Sequence, residues 1–175
     1  EEGEAQAAHM CAKGDVWASA SQDFDSLLFG APRLVRNLTL SGRRKMPGRD
    51  EYREVRMQII DREETLSALG LSGKQLVDLC ILVGTDFNPG VMGIGPKKAL
   101  KLIKQHGTLA GALRSLGMED GEMEKVRSIF LDYERTDDYR LVWSQPDRQK
   151  VLDMLCGEYG FSEKRVNGAL DKFSS

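Results

Sequence analysis

Gly84-Thr-Asp-Phe-Asn-Pro-Gly-Val-Met-Gly-Ile-Gly-Pro-Lys-Lys-Ala99 sets an acidic residue, Asp86, at the end of an apolar run, follows it with a turn, and opens a basic helix from a Gly-Ile-Gly hairpin. Gly93 and Gly95 flank Ile94 and lack the Cβ that would forbid positive φ or hold a nucleic-acid backbone at a distance. Pro96 suits the first helical position, where its missing N–H costs nothing. A helix from Lys97 onward begins with free N–H groups and a positive dipole end, which together favour an anion. Lys97, Lys98, Lys101 and Lys104 add charge at helical spacing. The stretch reads as a metal-binding carboxylate beside a phosphate grip. An ordinary helix corner with a solvated lysine face uses the same residues.

Working outward, 175 residues suffice for one domain with a sizeable core, and 41% apolar with 30% charged residues describe a soluble, globular chain. No apolar run approaches the roughly 20 residues that span a bilayer, and no secretory pattern opens the sequence, so the reading places the protein inside the cell, away from membranes. Cys11, Cys80 and Cys156 lie far apart and form no C-x-x-C pair, which leaves them as reduced core thiols. With His9 and His106 the only histidines, any metal must be held by carboxylates. Charge is uneven: Arg33 to Arg56 holds eight basic and three acidic residues, Glu119 to Asp138 eight acidic and three basic. One face can then meet phosphate while another repels it, although two solvated surfaces account for the same runs.

In chain order, Glu1 to Ala12 reads as a helix with acids in its first turn. Residues two apart on a regular helix point about 200° apart, so Glu2 and Glu4 share a site only at an irregular helix start. Val16 to Ala20 reads as a short buried strand. In an extended continuation of it, Asp23 and Asp25 lie on one face just beyond the strand end, where two carboxylates repel unless a cation neutralises them. Arg33 to Leu40 and Tyr52 to Ile60 read as further strands, with a turn at Ser41-Gly42 and the basic cluster Arg43, Arg44, Lys45 between them. Helices are expected from Asp61 to Leu69, from a capping box at Ser72 to Val83, and over Thr108–Leu116, Glu122–Tyr133, Asp147–Tyr159 and Ser162–Phe173.

These motifs in this order resemble the XPG-like 5′ nuclease family and its flap endonucleases, with the Asn88-Pro-Gly90 turn closer to archaeal members. The likeness runs through Glu2 to Ala8, Gln22 to Gly30, Leu79 to Gly90, Gly93 to Ala99, Leu141 to Pro146 and Phe161 to Val166. It implies an α/β fold, part of a doubly wound, mainly parallel sheet of the 5′ nuclease or PIN-like kind, with a C-terminal helical portion carrying a helix-hairpin-helix. Residues 1–83 would belong to the nuclease core and residues 84–175 to the DNA-binding portion, packed as one unit. The resemblance implies that Glu2, Glu4, Asp23, Asp25 and Asp86 hold two divalent ions, normally Mg2+ with Mn2+ able to substitute. It implies a DNA contact at Gly93, Ile94, Gly95, Lys97, Lys98 and Lys101, with K+ possible at the hairpin. The implied activity is metal-dependent hydrolysis of branched DNA during replication and repair, in the cytoplasm of an archaeon or the nucleus of a eukaryote.

The family's N-terminal region, with its further aspartates, lysine, arginine and helical arch, is not among these residues, and neither is its sliding-clamp motif. The chain is therefore expected to correspond to the C-terminal half, to be inactive alone and to need the N-terminal half as partner. A non-catalytic DNA-binding module is the alternative.

Overall fold

The structure, a computed structural model, describes residues 3–38, 42–45, 48 and 50–173 of the 175. The alanine-rich opening forms α1 (Gly3–Lys13), with Ala5, Ala8 and Cys11 buried at a spacing of three residues. The expected strand from Val16 shrinks to β1 (Ser19–Ala20). The cause lies at Trp17, whose carbonyl accepts from Cys11 Sγ at 3.5 Å and Arg33 Nη1 at 3.2 Å, side-chain partners in place of a neighbouring strand. A short helix, α2 (Asp25–Leu28), then leads to β2 (Arg33–Arg36). That strand stops well short of Leu40 because Asn37 takes a left-handed φ of 59°.

The single strand expected over 52–60 is two, since its halves pair with different partners. β3 (Gly42–Lys45) and β4 (Tyr52–Val55) form an antiparallel ribbon, while β5 (Gln58–Asp61) joins the main sheet in the order β1-β2-β5. β1 runs parallel to β2, and β5 antiparallel to it with Leu34 opposite Ile60. The chain is thus α/β, and the parallel pairing in its described sheet is that of β1 with β2.

Helix boundaries follow the local chemistry closely. Asp61 caps α3 (Arg62–Leu69) by accepting from Glu64 N, and Gly70 closes it at φ 64°. Ser72 and Gln75 form a reciprocal capping box at the start of α4 (Gly73–Val83). This helix is apolar on nearly every side, and Val77, Ile81 and Leu82 are fully buried. Burial of each such side chain contributes about 1.5–3 kcal/mol, which suits a helix enclosed by others. It packs against α2, α5 (Pro96–His106), α6 (Leu109–Ser115) and α7 (Gly121–Leu131). Phe29 and Phe130 meet at 5.0 Å between ring centroids inside the same core.

Residues 84–136 belong with the sheet and α1–α4 in one compact unit, which ends at Thr136. Within it α5, α6 and α7 pack on α4. Gln6 fastens the end of this unit, donating from Nε2 to Thr136 O at 2.9 Å and accepting from Thr136 N at 3.0 Å. The second unit, residues 137–175, contains α8 (Arg148–Leu152), a π-helical turn over Asp153–Glu158, and α9 (Glu163–Leu170). Within it Arg148 donates to Asn167 at 2.6 Å and to Asp171 at 2.5 Å.

Candidate functional site

Asp23, Asp25 and Asp86 line one cavity of about 390 Å³, together with Phe24, Leu27, Leu28, Thr65, Leu76, Cys80, Gly84 and Thr85. The sequence pattern brings the three together for a reason different from the one expected. The chain after β1 is not extended: it bends over Gln22 to Phe24, Phe24 adopts helical angles as the cap of α2, and Asp25 is the first residue of that helix. The bend, rather than strand alternation, turns both carboxylates to the same hollow.

Glu4 sits in the first turn of α1 and accepts from Ser21 Oγ. Ser21 Oγ also accepts from the backbone N of Asp23 at 3.0 Å, so one hydroxyl ties Glu4 to the aspartate-bearing bend. Glu2 lies outside the described residues. Among the described residues, no three His, Cys, Asp or Glu side chains converge closely enough to hold a metal ion.

Asp86 stands at the tip of a turn whose flanks bond each other. Thr85 N donates to Asn88 O at 2.9 Å and Asn88 N to Thr85 O at 3.2 Å. Thr85 Oγ1 donates to Asn88 Oδ1 at 2.8 Å, and Asn88 Nδ2 fastens the turn to Ile81 O on α4 at 2.9 Å. Gly90 is the tightest point: at φ 74° its missing Cβ would stand 2.3 Å from the Val83 carbonyl oxygen. Gly90→Ala is expected to cost at least about 2 kcal/mol, combining left-handed strain with a backbone clash, read as a lower midpoint in urea unfolding.

Cys80, on the cavity wall, has its thiol pushed up from 9.0 to about 11, first by burial and then by the negative charge of Asp25. The protonated thiol is therefore favoured by folding. Its contribution to stability is full below pH 9 and is lost as pH rises through about 11. At pH 8 the folded protein should alkylate at Cys80 about 100-fold more slowly than the urea-unfolded chain, as read by mass spectrometry with iodoacetamide.

On the other side of the turn, Val91 N donates to Leu82 O at 2.9 Å, and the hairpin follows with Ile94 N donating to Val91 O at 3.0 Å. Of its two glycines only Gly93 has positive φ, at 77°; Gly95 is extended, and neither would bring a Cβ near any atom of the chain. Gly95 is the N-cap residue of α5. Pro96 occupies the first turn of α5 as expected, and Gly93, Gly95, Lys97, Lys98 and Lys101 are exposed around it, with Ile94 half-buried. Lys98 Nζ reaches back to donate to Gly93 O at 3.0 Å.

With this arrangement in place, the chain can be set against known proteins. The family model of the XPG I-region matches residues 1–86. Over 172 residues the chain is 52% identical to Flap endonuclease 1 of Ignicoccus hospitalis, an alignment covering 98% of this chain and 49% of that relative. The solved Flap endonuclease-1 from Methanococcus jannaschii superposes with a TM-score of 0.80 at 38% identity, over 99% of this chain and 50% of its own. The chain belongs to the XPG-like 5′ nuclease family.

The catalytic core of Rad2, solved in complex with DNA substrate, shares the fold at a TM-score of 0.74 and 22% identity, over 98% of this chain and 62% of its own. This XPG-like chain spans about half the length of the relatives it matches. Several residues that shape its site escaped the sequence reading. Ser21, Thr85 and Asn88 carry no charge and became visible only as hydrogen-bond partners. The Thr-x-x-Asn spacing around Asp86 and Phe87 was the available signal, since both side chains bond across a two-residue tip.

Proposed function

We propose that this chain supplies part of the metal site and the duplex grip of a structure-specific 5′ flap endonuclease. The observation that carries the reading is the gathering of Asp23, Asp25 and Asp86, from two separate stretches, on one cavity, with Asp86 shortly before the hairpin that opens basic α5. Their donor set is all carboxylate oxygen, which suits a hard divalent cation such as magnesium or manganese. Cys80, a soft donor on the same wall, has its thiol pushed up by burial and by the charge of Asp25.

Glu4 would join the three aspartates in holding two ions, and Glu2 is proposed for the same set. When bound there, magnesium supplies the Lewis acidity for phosphodiester hydrolysis. The chain's own part is to gather the carboxylates, to fix Asp86 through the Thr85–Asn88 turn, and to seat a phosphate backbone on Gly93, Ile94, Gly95, Lys97, Lys98 and Lys101. Phosphate contacts carry no base information, so selection would be by DNA structure. A potassium ion is proposed at the same hairpin.

The relatives' remaining length is the proposed partner that completes the cage, and the site of action is the replication and repair machinery of the cytoplasm in an archaeal host. Flap-bearing DNA offered to the protein joined to that remaining half should be cut only with magnesium or manganese, whereas the 175-residue chain alone should not cut it.

The exposed hairpin and the lysines of α5 also suit a second reading, a DNA-binding module without catalysis. Calorimetric titration of magnesium into the completed protein separates the two. Absence of carboxylate-dependent heat, alongside salt-sensitive duplex binding, would establish the module and sink the nuclease.

A further inference from the structure

We propose that Phe24, with Arg36 on its ring, forms a stacking platform for a nucleobase at the rim of the carboxylate cavity. The proposal rests on the nuclease reading above and adds a substrate-touching residue to it. Phe24 stands between Asp23 and Asp25 and lines the same cavity, yet it is 51% exposed. A single exposed phenylalanine is ordinary in itself. What distinguishes this one is how firmly it is held and by what.

Its backbone is fixed as the cap of α2, with Leu27 N donating to Phe24 O at 2.9 Å. The Arg36 guanidinium lies 4.1 Å from the ring centroid, and its Nε is anchored on Gln22 O at 2.9 Å. Arg36 does not line the cavity, whereas Phe24 does, and with the guanidinium on its ring Phe24 still keeps half of its surface exposed.

A base brings two chemistries, a π-face and a phosphate. The ring offers a face that accepts any base without reading its identity. The guanidinium polarises the ring and adds a positive charge near it for the accompanying phosphate. A nucleotide stacked on Phe24 is thereby held against the cavity wall, with the phosphate next to it directed towards Asp23, Asp25 and Asp86. The recognition is of a base as such, in keeping with selection by structure and not sequence.

The test uses the protein joined to its remaining half and flap DNA with 2-aminopurine placed beside the scissile bond. The wild type should quench the probe on binding and cut in single turnover. Phe24→Ala should lose the quench and cut about tenfold more slowly, the order that loss of one base–aromatic stack produces. Phe24→Trp should keep both, and Phe24→Leu, apolar but without a π-face, should behave like the alanine variant. Should Phe24→Ala fail to fold, the Leu and Trp pair carries the same comparison.

Quench and rate unchanged in Phe24→Ala, with a wild type that binds and cuts, overturn the platform and leave the nuclease reading intact. Full activity in Phe24→Leu also overturns it, since the ring would then be packing against protein. A wild type that neither binds nor cuts flap DNA removes the nuclease reading, and the platform with it.

Discussion

Asp78→Ala is expected to lower folding stability by about 3–5 kcal/mol, enough to unfold a marginal domain near physiological temperature. Asp78 lies on α4 with only 2% of its side chain exposed, and both oxygens are engaged. Oδ1 accepts from Arg127 Nε of α7 at 2.6 Å, and Oδ2 accepts from Leu109 N, at the opening of α6, at 3.1 Å. One carboxylate therefore joins three helices, and it also answers one of the orphan N–H groups of α6. Its removal leaves Arg127 paired with the exposed Glu124, at 3.1 Å, and takes the acceptor away from the buried Leu109 N. Asp78→Asn, which can still accept from Leu109 N, should lose less than the alanine variant. Urea unfolding monitored by circular dichroism checks both, and an alanine variant within 1 kcal/mol of wild type would rule out the linking role.

The second large effect concerns Asp86. In the protein joined to its remaining half, Asp86→Ala should reduce magnesium-dependent cleavage by about 1000-fold or more, roughly 4 kcal/mol of transition-state stabilisation, while DNA affinity holds or rises. Affinity should not fall, because the change removes a negative charge near bound phosphate and leaves the hairpin and α5 untouched. Asp23→Ala should match it in direction. Single-turnover cleavage and anisotropy binding on the same flap substrate give the two readouts; cleavage within tenfold of wild type would remove Asp86 from the metal set.

Signals that act within a few residues were legible in the sequence. The capping box at Ser72, Pro96 at a helix start and the helix that runs from Asp61 to Leu69 each depend on neighbours a few positions away, and each appears where it was expected. Asp23, Asp25 and Asp86 were named from the sequence, and the cavity they share supports the grouping without testing the metal. What was illegible depends on distant parts of the chain. Nothing near Asp78 in the sequence marks it as a link, since its partner Arg127 lies 49 residues on. The division of residues 52–60 into two strands rests on which partner each half finds, and no local pattern records that. Gly90 read as one turn glycine among several, although its close approach to Val83 makes it the least replaceable of the hairpin region.

That approach has a geometric consequence. Val91 is pinned to Leu82, Asn88 to Ile81, and Gly90 lies against Val83, so residues 84–91 form a closed loop clamped on the last turn of a buried helix. Asp86 projects from this loop, and the hairpin begins at its exit. Under the proposed function, the loop acts as a ruler: the distance from the grip on the duplex to the bond that is cut is built into eight residues that cannot stretch. Lengthening it by one residue would be felt as a shift in where the strand is cut, before any loss of the ability to cut it.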